Sequence, residues 1–316
     1  MKPMQLEASK LLACLALVIA AAAAPAQHEL DALFGYEAGT AKVMQPAVQP
    51  IRQMSRPPGL YLSDVGLDFF TPDGWSQPML QECRVVGVYI SPNLIGSKTG
   101  VGNVFCAQGC ANYFDLPYAG TPHHHFKFTA PDAPGVYVWD MKAVNAVDYM
   151  GNPLNDMPNV YRYYMVAGNP NKVRGSVTPA PQYVGDLGKL VLRVELRAGG
   201  TTVASQEQPV CSGIAVYPYM MGFTQSGPYD VVAKLSKHLS VRVNGVTLAQ
   251  DTPMNWQFAF LGDLDGDDSI GLADLNRVLI HFGTSNDGGD VNGDGSVALD
   301  DLNTVLLNFG RSGQGL

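Results

Sequence analysis

Over most of the chain, apolar positions alternate with polar ones in short runs broken by Gly, Pro and Asn. RVVGVYI, HFKFTA, GVYVWDMKAV and VYRYYMVAG are β-branched and aromatic, as strands half-buried in a sheet require. From Gly59 their regular spacing predicts an antiparallel β-sandwich over 56–168, closing near Ala167. GNPNK (168–172) reads as a linker. In KLVLRVELRAGG, Leu190, Leu192, Val194 and Leu196 face one way, while Lys189, Arg193, Glu195 and Arg197 face the other. GPYDVVAKLSKHLSVRVNGVTL likewise turns Tyr229, Val231, Ala233 and Leu235 inward, then Leu239, Val241 and Val243. A second antiparallel sandwich is expected over 172–260. Residues 27–55 hold no sustained period and read as a leader or linker.

Near the C-terminus the period changes. NWQFAFLG still alternates, with Trp256, Phe258 and Phe260 on one face, so a strand and not a helix leads in. Leu275, Val278, Leu279 and Phe282 then follow the i, i+3, i+4, i+7 spacing of a helical face. The set recurs 27 residues later as Leu302, Val305, Leu306 and Phe309, and Gly283 and Gly310 are matching helix stops. Before each helix stands a loop crowded with carboxylates, DLDGDDSIGLAD and DVNGDGSVALDD. Positions 1, 3, 5 and 12 are Asp263, Asp265, Asp267 and Asp274 in the first, and Asp290, Asn292, Asp294 and Asp301 in the second. Position 7 offers the backbone carbonyls of Ser269 and Ser296. This is the spacing of an EF-hand loop, which wraps six to eight oxygens round Ca2+. A solvated acidic turn capping a helix is the ordinary alternative, but two copies in register point to two calcium ions. Gly295 sits at position 6, where the loop turns sharply. Asp268 takes that place in the first loop, so the first site is expected to be the weaker one.

The duplicated loops and the DLNxVLxxFG tail resemble the type I dockerin domain over about residues 261–311. That resemblance implies a calcium module that docks a cohesin-like partner; with only a few apolar residues on two short helices, it is expected to fold only with calcium. Leu272-Ala273 and Leu299-Asp300 occupy the places that help select the partner. The order VRGSVTP, LVLRVELR, GPYDVVAK and NWQFAFLGDLDGD is similar to carboxypeptidase-regulatory-like (transthyretin-like) β-sandwich modules, which implies a structural or adhesive role for 172–260. The expected fold class is therefore multi-domain and mainly β: two antiparallel β-sandwich domains followed by a small α-helical, dockerin-like calcium module. The expected function is that of a secreted, non-catalytic, multi-modular docking protein. Two alternatives stay open: a polysaccharide-degrading component acting on O-glycosyl bonds, and a dockerin serving as an internal stabiliser packed on the neighbouring sandwich, with no outside partner.

Charge changes this picture little. Of the 316 residues, 262–310 contain ten aspartates against Arg277 alone, so they account for the formal net charge of −8 and leave the rest near neutral. No basic stripe points to nucleic acid. LLACLALVIAAAA, after Lys2 and Lys10 and before Ala24-Pro-Ala26, reads as an export signal over 1–26; no later stretch could span a bilayer, so an extracellular or periplasmic protein is expected. Removing it takes away Cys14 and leaves Cys83, Cys106, Cys110 and Cys211. FCAQGCANYF makes Cys106–Cys110 the expected bridge, with the pairing of Cys83 and Cys211 open. His123 and His125 share a strand face and could hold a metal with Asp132 or Asp140, although Lys127 on that face opposes a cation. The ordinary reading is a solvent-facing strand edge. GxSxG, HExxH, P-loop and GxGxxG signatures are absent from the sequence, and Asp64, Asp68, Asp115, Asp132, Asp140 and Asp148 read as local caps. Trp75, Tyr113 and Tyr118 could stack on a sugar ring, though packing is their commoner role.

Overall fold

The computed structural model describes residues 31–45, 51–74, 76–117, 123–213 and 215–315. The expected export signal with Cys14, together with Trp75 and Tyr118, lies outside them. Among the described residues the chain is mainly β, with several sheets and two α-helices.

A six-stranded sheet runs in the order Thr40–Gln45, Ala32–Glu37, Leu60–Phe69, His124–Pro131, Ile95–Lys98, Gly102–Cys106. A five-stranded sheet runs Ile51–Gln53, Tyr161–Ala167, Gly135–Asp148, Leu80–Ile90, Tyr113–Pro117. Their inner faces share one core, in which Phe105, Phe126, Phe128, Trp139 and Tyr163 are fully buried. Two expectations need correction here. Residues 32–45 and 51–53 are not a leader: they supply three strands, and the first hairpin turns on Ala38 and Gly39, both at positive φ. Each strand is so short that only two apolar positions, such as Phe34 with Ala32 or Ala41 with Val43, mark its inner face, too few to show a period. Nor are the sheets purely antiparallel, because Ala32–Glu37 runs parallel to Leu60–Phe69, and Ile51–Gln53 parallel to Tyr161–Ala167.

The strand YRYYMVA is buried along its whole length. Its outer face is covered by the strand Tyr219–Phe223 of the next unit, through Val138, Tyr164, Val166 and Met220. Arg162 crosses this seam. Its side chain is inaccessible, its Nε and Nη2 each donate to Asp140 at 2.6 Å, and it also donates to the carbonyls of Pro209 (3.0 Å) and Pro218 (3.1 Å).

Beyond the seam, a four-stranded sheet (Thr201–Pro209, Val191–Ala198, Gly227–Leu235, Val241–Leu248) and a three-stranded one (Tyr219–Phe223, Asn171–Gly175, Asp251–Pro253) enclose a second core. Leu190, Leu192, Val194 and Leu196 are all buried in it, as their alternation requires. This core does not stop at 260. It continues through Leu261, Ile270, Val278, Val291, Val297 and Val305. The two helices, α1 (Leu272–His281) and α2 (Leu299–Asn308), therefore lean on the sandwich through one face each. Gly283 (φ 78°) and Gly310 (φ 80°) end them, in the left-handed backbone that glycine tolerates.

Candidate metal centre

The segment that enters the first loop is a strand, Leu261–Asp263, paired with Lys237–His238. Each loop then folds round its own carboxylates with one set of hydrogen bonds used twice. Asp263 Oδ1 accepts from Gly266 N at 2.7 Å and Asp290 Oδ1 from Gly293 N at 2.7 Å. Asp263 Oδ2 accepts from Asp268 N at 3.0 Å and Asp290 Oδ2 from Gly295 N at 2.9 Å. Asp267 and Asp294 receive the N–H groups of Ser269 and Ser296, both at 2.8 Å. Asp274 takes those of Leu264 and Gly271, and Asp301 those of Val291 and Ala298, at 2.7 and 2.8 Å in each case. The halves also clasp each other reciprocally. Ile270 N donates to Arg311 O and Val297 N to Thr284 O, while Gly310 N donates to Ile270 O and Gly283 N to Val297 O, all at 2.8 Å.

This folding turns the carboxylates of Asp263, Asp265 and Asp267 together, with oxygens within 4.8 Å of one another. Asp263, Asp274, Asp290 and Asp301 are almost wholly buried. Burial pushes the Asp263 carboxyl above its ordinary value against the opposing pull of Lys234. Burial likewise raises Asp301, opposed by three backbone N–H groups. Buried like charges that resist ionisation are the environment a divalent cation would relieve. An ionised carboxylate offers about four acceptor positions, so the N–H bonds leave lone pairs over. The donor set fits calcium: hard oxygens only, with Asn292 supplying a neutral one in the second loop.

The first loop holds an additional cation that its own spacing does not reveal. Lys234, from Gly227–Leu235, forms an ion pair with Asp263, lies 3.3 Å from Asp268 Oδ1 and donates to His238 O at 2.5 Å. Asp268 has φ 69°, and its Oδ1 accepts from Ser240 N at 2.7 Å. Thus the residue that departs from glycine at position 6 fastens the loop to the sandwich. On the second loop, Lys237 Nζ reaches Asp290 O (2.6 Å) and Asp287 Oδ1 (3.0 Å), and Asn292 O accepts from Val184 N (2.8 Å). Sequence reading missed Lys234, Lys237 and Ser240, whose partners lie in another sheet or loop.

The outer side of the helices is apolar as well. Leu272 (68% exposed), Leu279, Ile280 (76%) and Phe282 have counterparts 27 residues on in Leu299 (64%), Leu306, Leu307 (76%) and Phe309. The two sets match in exposure position by position. Of the apolar side chains on the two helices, Val278 and Val305 are the ones fully buried, and Leu279 and Leu306, expected on the buried face, stand half exposed.

Elsewhere, Cys106 and Cys110 are bridged, while Cys83 and Cys211 are separate buried thiols. His124–Pro131 has strands on both sides only over Lys127–Thr129; at His124–Phe126 the pairing shown is with Leu60–Phe69 alone, and His125 is half exposed. The third ligands expected for its histidines are engaged elsewhere: Asp132 is gripped by Arg56 at 2.8 and 3.2 Å, and Asp140 by Arg162 in the other sheet. His123 and His125 instead face Asp68 and Asp64. Asp115 pairs with Arg84, and Asp148 caps its own turn by accepting from Met150 N and Asn152 N. Tyr113, exposed on the strand beside them, lies under the Arg84 guanidinium at 4.2 Å.

No protein-family model matches the chain, and no curated protein matches it. Two solved structures from Acetivibrio cellulolyticus, N- and C-terminal interface mutants of a type II cohesin–X-dockerin complex, are similar to part of it. Each is 22% identical and covers 46% of this chain and 99% of its own, with TM-scores of 0.36 and 0.37. The Bacillus anthracis TIE protein is 8% identical, covers 68% of this chain and 39% of its own, and has a TM-score of 0.23. Likenesses at these TM-scores carry no argument about function. Among the described residues, no helix is long and apolar enough to cross a membrane.

Proposed function

We propose that this chain is an exported, non-catalytic docking protein whose C-terminal loops take two calcium ions. In the first loop Asp263, Asp265, Asp267, Asp274 and the Ser269 carbonyl are the ligands. In the second they are Asp290, Asn292, Asp294, Asp301 and the Ser296 carbonyl. Calcium fixes the loops, and the loops set the angle of α1 and α2. The outer stripe of those helices then receives a cohesin-like protein domain, in keeping with the dockerin resemblance. The observation that carries this reading is the duplicated stripe: eight large apolar side chains left in solvent at matching positions, a pattern that marks an interaction surface.

The shared core favours a second role held at the same time. The inner faces of the helices and the contacts of Lys234, Lys237 and Asp268 make the module a fixed part of the sandwich. Inner and outer faces do not compete, so stabilisation and docking are compatible. Binding of the full chain to an immobilised panel of cohesin domains tests the docking. Retention is expected in calcium, lost in chelator, and reduced at least tenfold in the double variant Ile280→Glu, Leu307→Glu. Binding that ignores both calcium and the double variant would contradict it.

A further inference from the structure

The strand containing His125 lies beside Leu60–Phe69, with His125 opposite Gly66 and Lys127 opposite Asp64. Side chains alternate along each strand, so Asp64, Gly66 and Asp68 share the face of His123 and His125. His123 Nδ1 lies 3.1 Å from Asp68 Oδ2, and His125 Nδ1 lies 2.9 Å from Asp64 Oδ1. An ionised carboxylate only accepts, so each Nδ1 carries the hydrogen and each Nε2 presents its lone pair. Those two Nε2 atoms face each other at 2.6 Å. Two lone pairs at that distance repel. Something positive belongs between them, either a shared proton or a metal ion.

The surroundings favour the metal. Asp31 is buried, with Oδ1 held by Arg52 Nη2 at 3.0 Å and Gly66 N at 2.9 Å, while Oδ2 lies 3.7 Å from His123 Nε2. Gly66 makes this arrangement sterically open, since a Cβ there would sit 2.3 Å from the Asp31 carboxylate. Three carboxylates (Asp31, Asp64, Asp68) thus surround the imidazoles, against the cations Arg52 and Lys127. A histidine whose Nδ1–H is held by a carboxylate is the usual form of a zinc-binding imidazole, because the hydrogen bond fixes the tautomer and raises basicity.

We propose that His123 and His125 bind a first-row transition dication of the zinc class through Nε2, with solvent completing the shell, Asp31 as a nearby counter-charge whose Oδ2 lies 3.7 Å from His123 Nε2, and Asp64 and Asp68 as positioning residues. Zn–N bonds of about 2.0–2.1 Å in tetrahedral geometry need the nitrogens roughly 3.3 Å apart. Binding requires the rings to spread, and His125 is the half-exposed one of the two. Imidazole nitrogen also separates this site from the all-oxygen loops, which suit calcium.

The test is titration of the calcium-saturated full chain with Zn2+ alone, followed by calorimetry, and with Co2+, read by its visible absorption. Wild type should take up one Zn2+ equivalent that His123→Gln and His125→Gln each lose, and only wild type should give the intense tetrahedral Co2+ bands. Asp64→Asn should weaken binding by about 10–100-fold. Thermal unfolding without zinc shows whether each variant folds. Equal uptake by wild type and a folded histidine variant, or no uptake by wild type, would overturn the proposal and leave a shared proton between the rings.

Discussion

Lys234→Met separates the calcium-free from the calcium-bound protein. The ammonium is about nine-tenths shielded, pairs with the inaccessible Asp263 and lies 3.3 Å from Asp268. Removing one member of such a pair leaves a buried charge uncompensated, at a cost of about 3–5 kcal/mol. Methionine keeps the length of the stem, so packing contributes little to the loss. In calcium the ion itself neutralises Asp263, and the cost should shrink to about 1 kcal/mol, the scale of one hydrogen bond lost at His238 O. The difference of at least about 2 kcal/mol must reappear as tighter calcium binding in the first loop, roughly 30-fold. Urea denaturation of the full chain in calcium and in chelator measures both costs, and calorimetry measures the affinity. An equal loss of stability in both conditions, with unchanged affinity, would refute the reasoning.

Two further outcomes follow from buried groups. His238 is inaccessible, and burial brings its imidazole down to about 4, whereas the unfolded side chain takes a proton near 6.5. The folded state stays neutral while the unfolded one charges, so stability is lost as pH falls from about 6.5 to 4, by about 3 kcal/mol. His238→Gln should remove that part of the acid sensitivity, seen as a smaller difference between denaturation curves at pH 7 and pH 4. Arg162→Met should destabilise the protein by about 3–5 kcal/mol, because Asp140 is left buried without its partner. It should also uncouple the two cores into separate thermal transitions; one unchanged transition would count against the seam.

The strand from Leu190 to Leu196 was legible because its apolar face is buried, whereas Val243, expected inward on a later strand, is 44% exposed. The loops were legible because ligand geometry dictates spacing within a dozen residues, and the repeat doubled the signal. What escaped sequence reading depends on contacts far apart in the chain. Asp31 is 35 residues from Gly66, and Lys234 is 29 from Asp263. Glu195 was placed on the polar face of its strand, yet it is buried there by Arg193, Arg197 and the residues near Gly315 that cover that face. The face of α1 and α2 was misjudged because both sides of each helix are apolar, and periodicity cannot say which side meets the sandwich.

Calcium calorimetry on the full chain tests the central claim most directly. The account predicts two equivalents in wild type and one in Asp290→Ala, with the second loop the tighter of the two. No calcium uptake, or the same two equivalents in a folded Asp290→Ala protein, would contradict it.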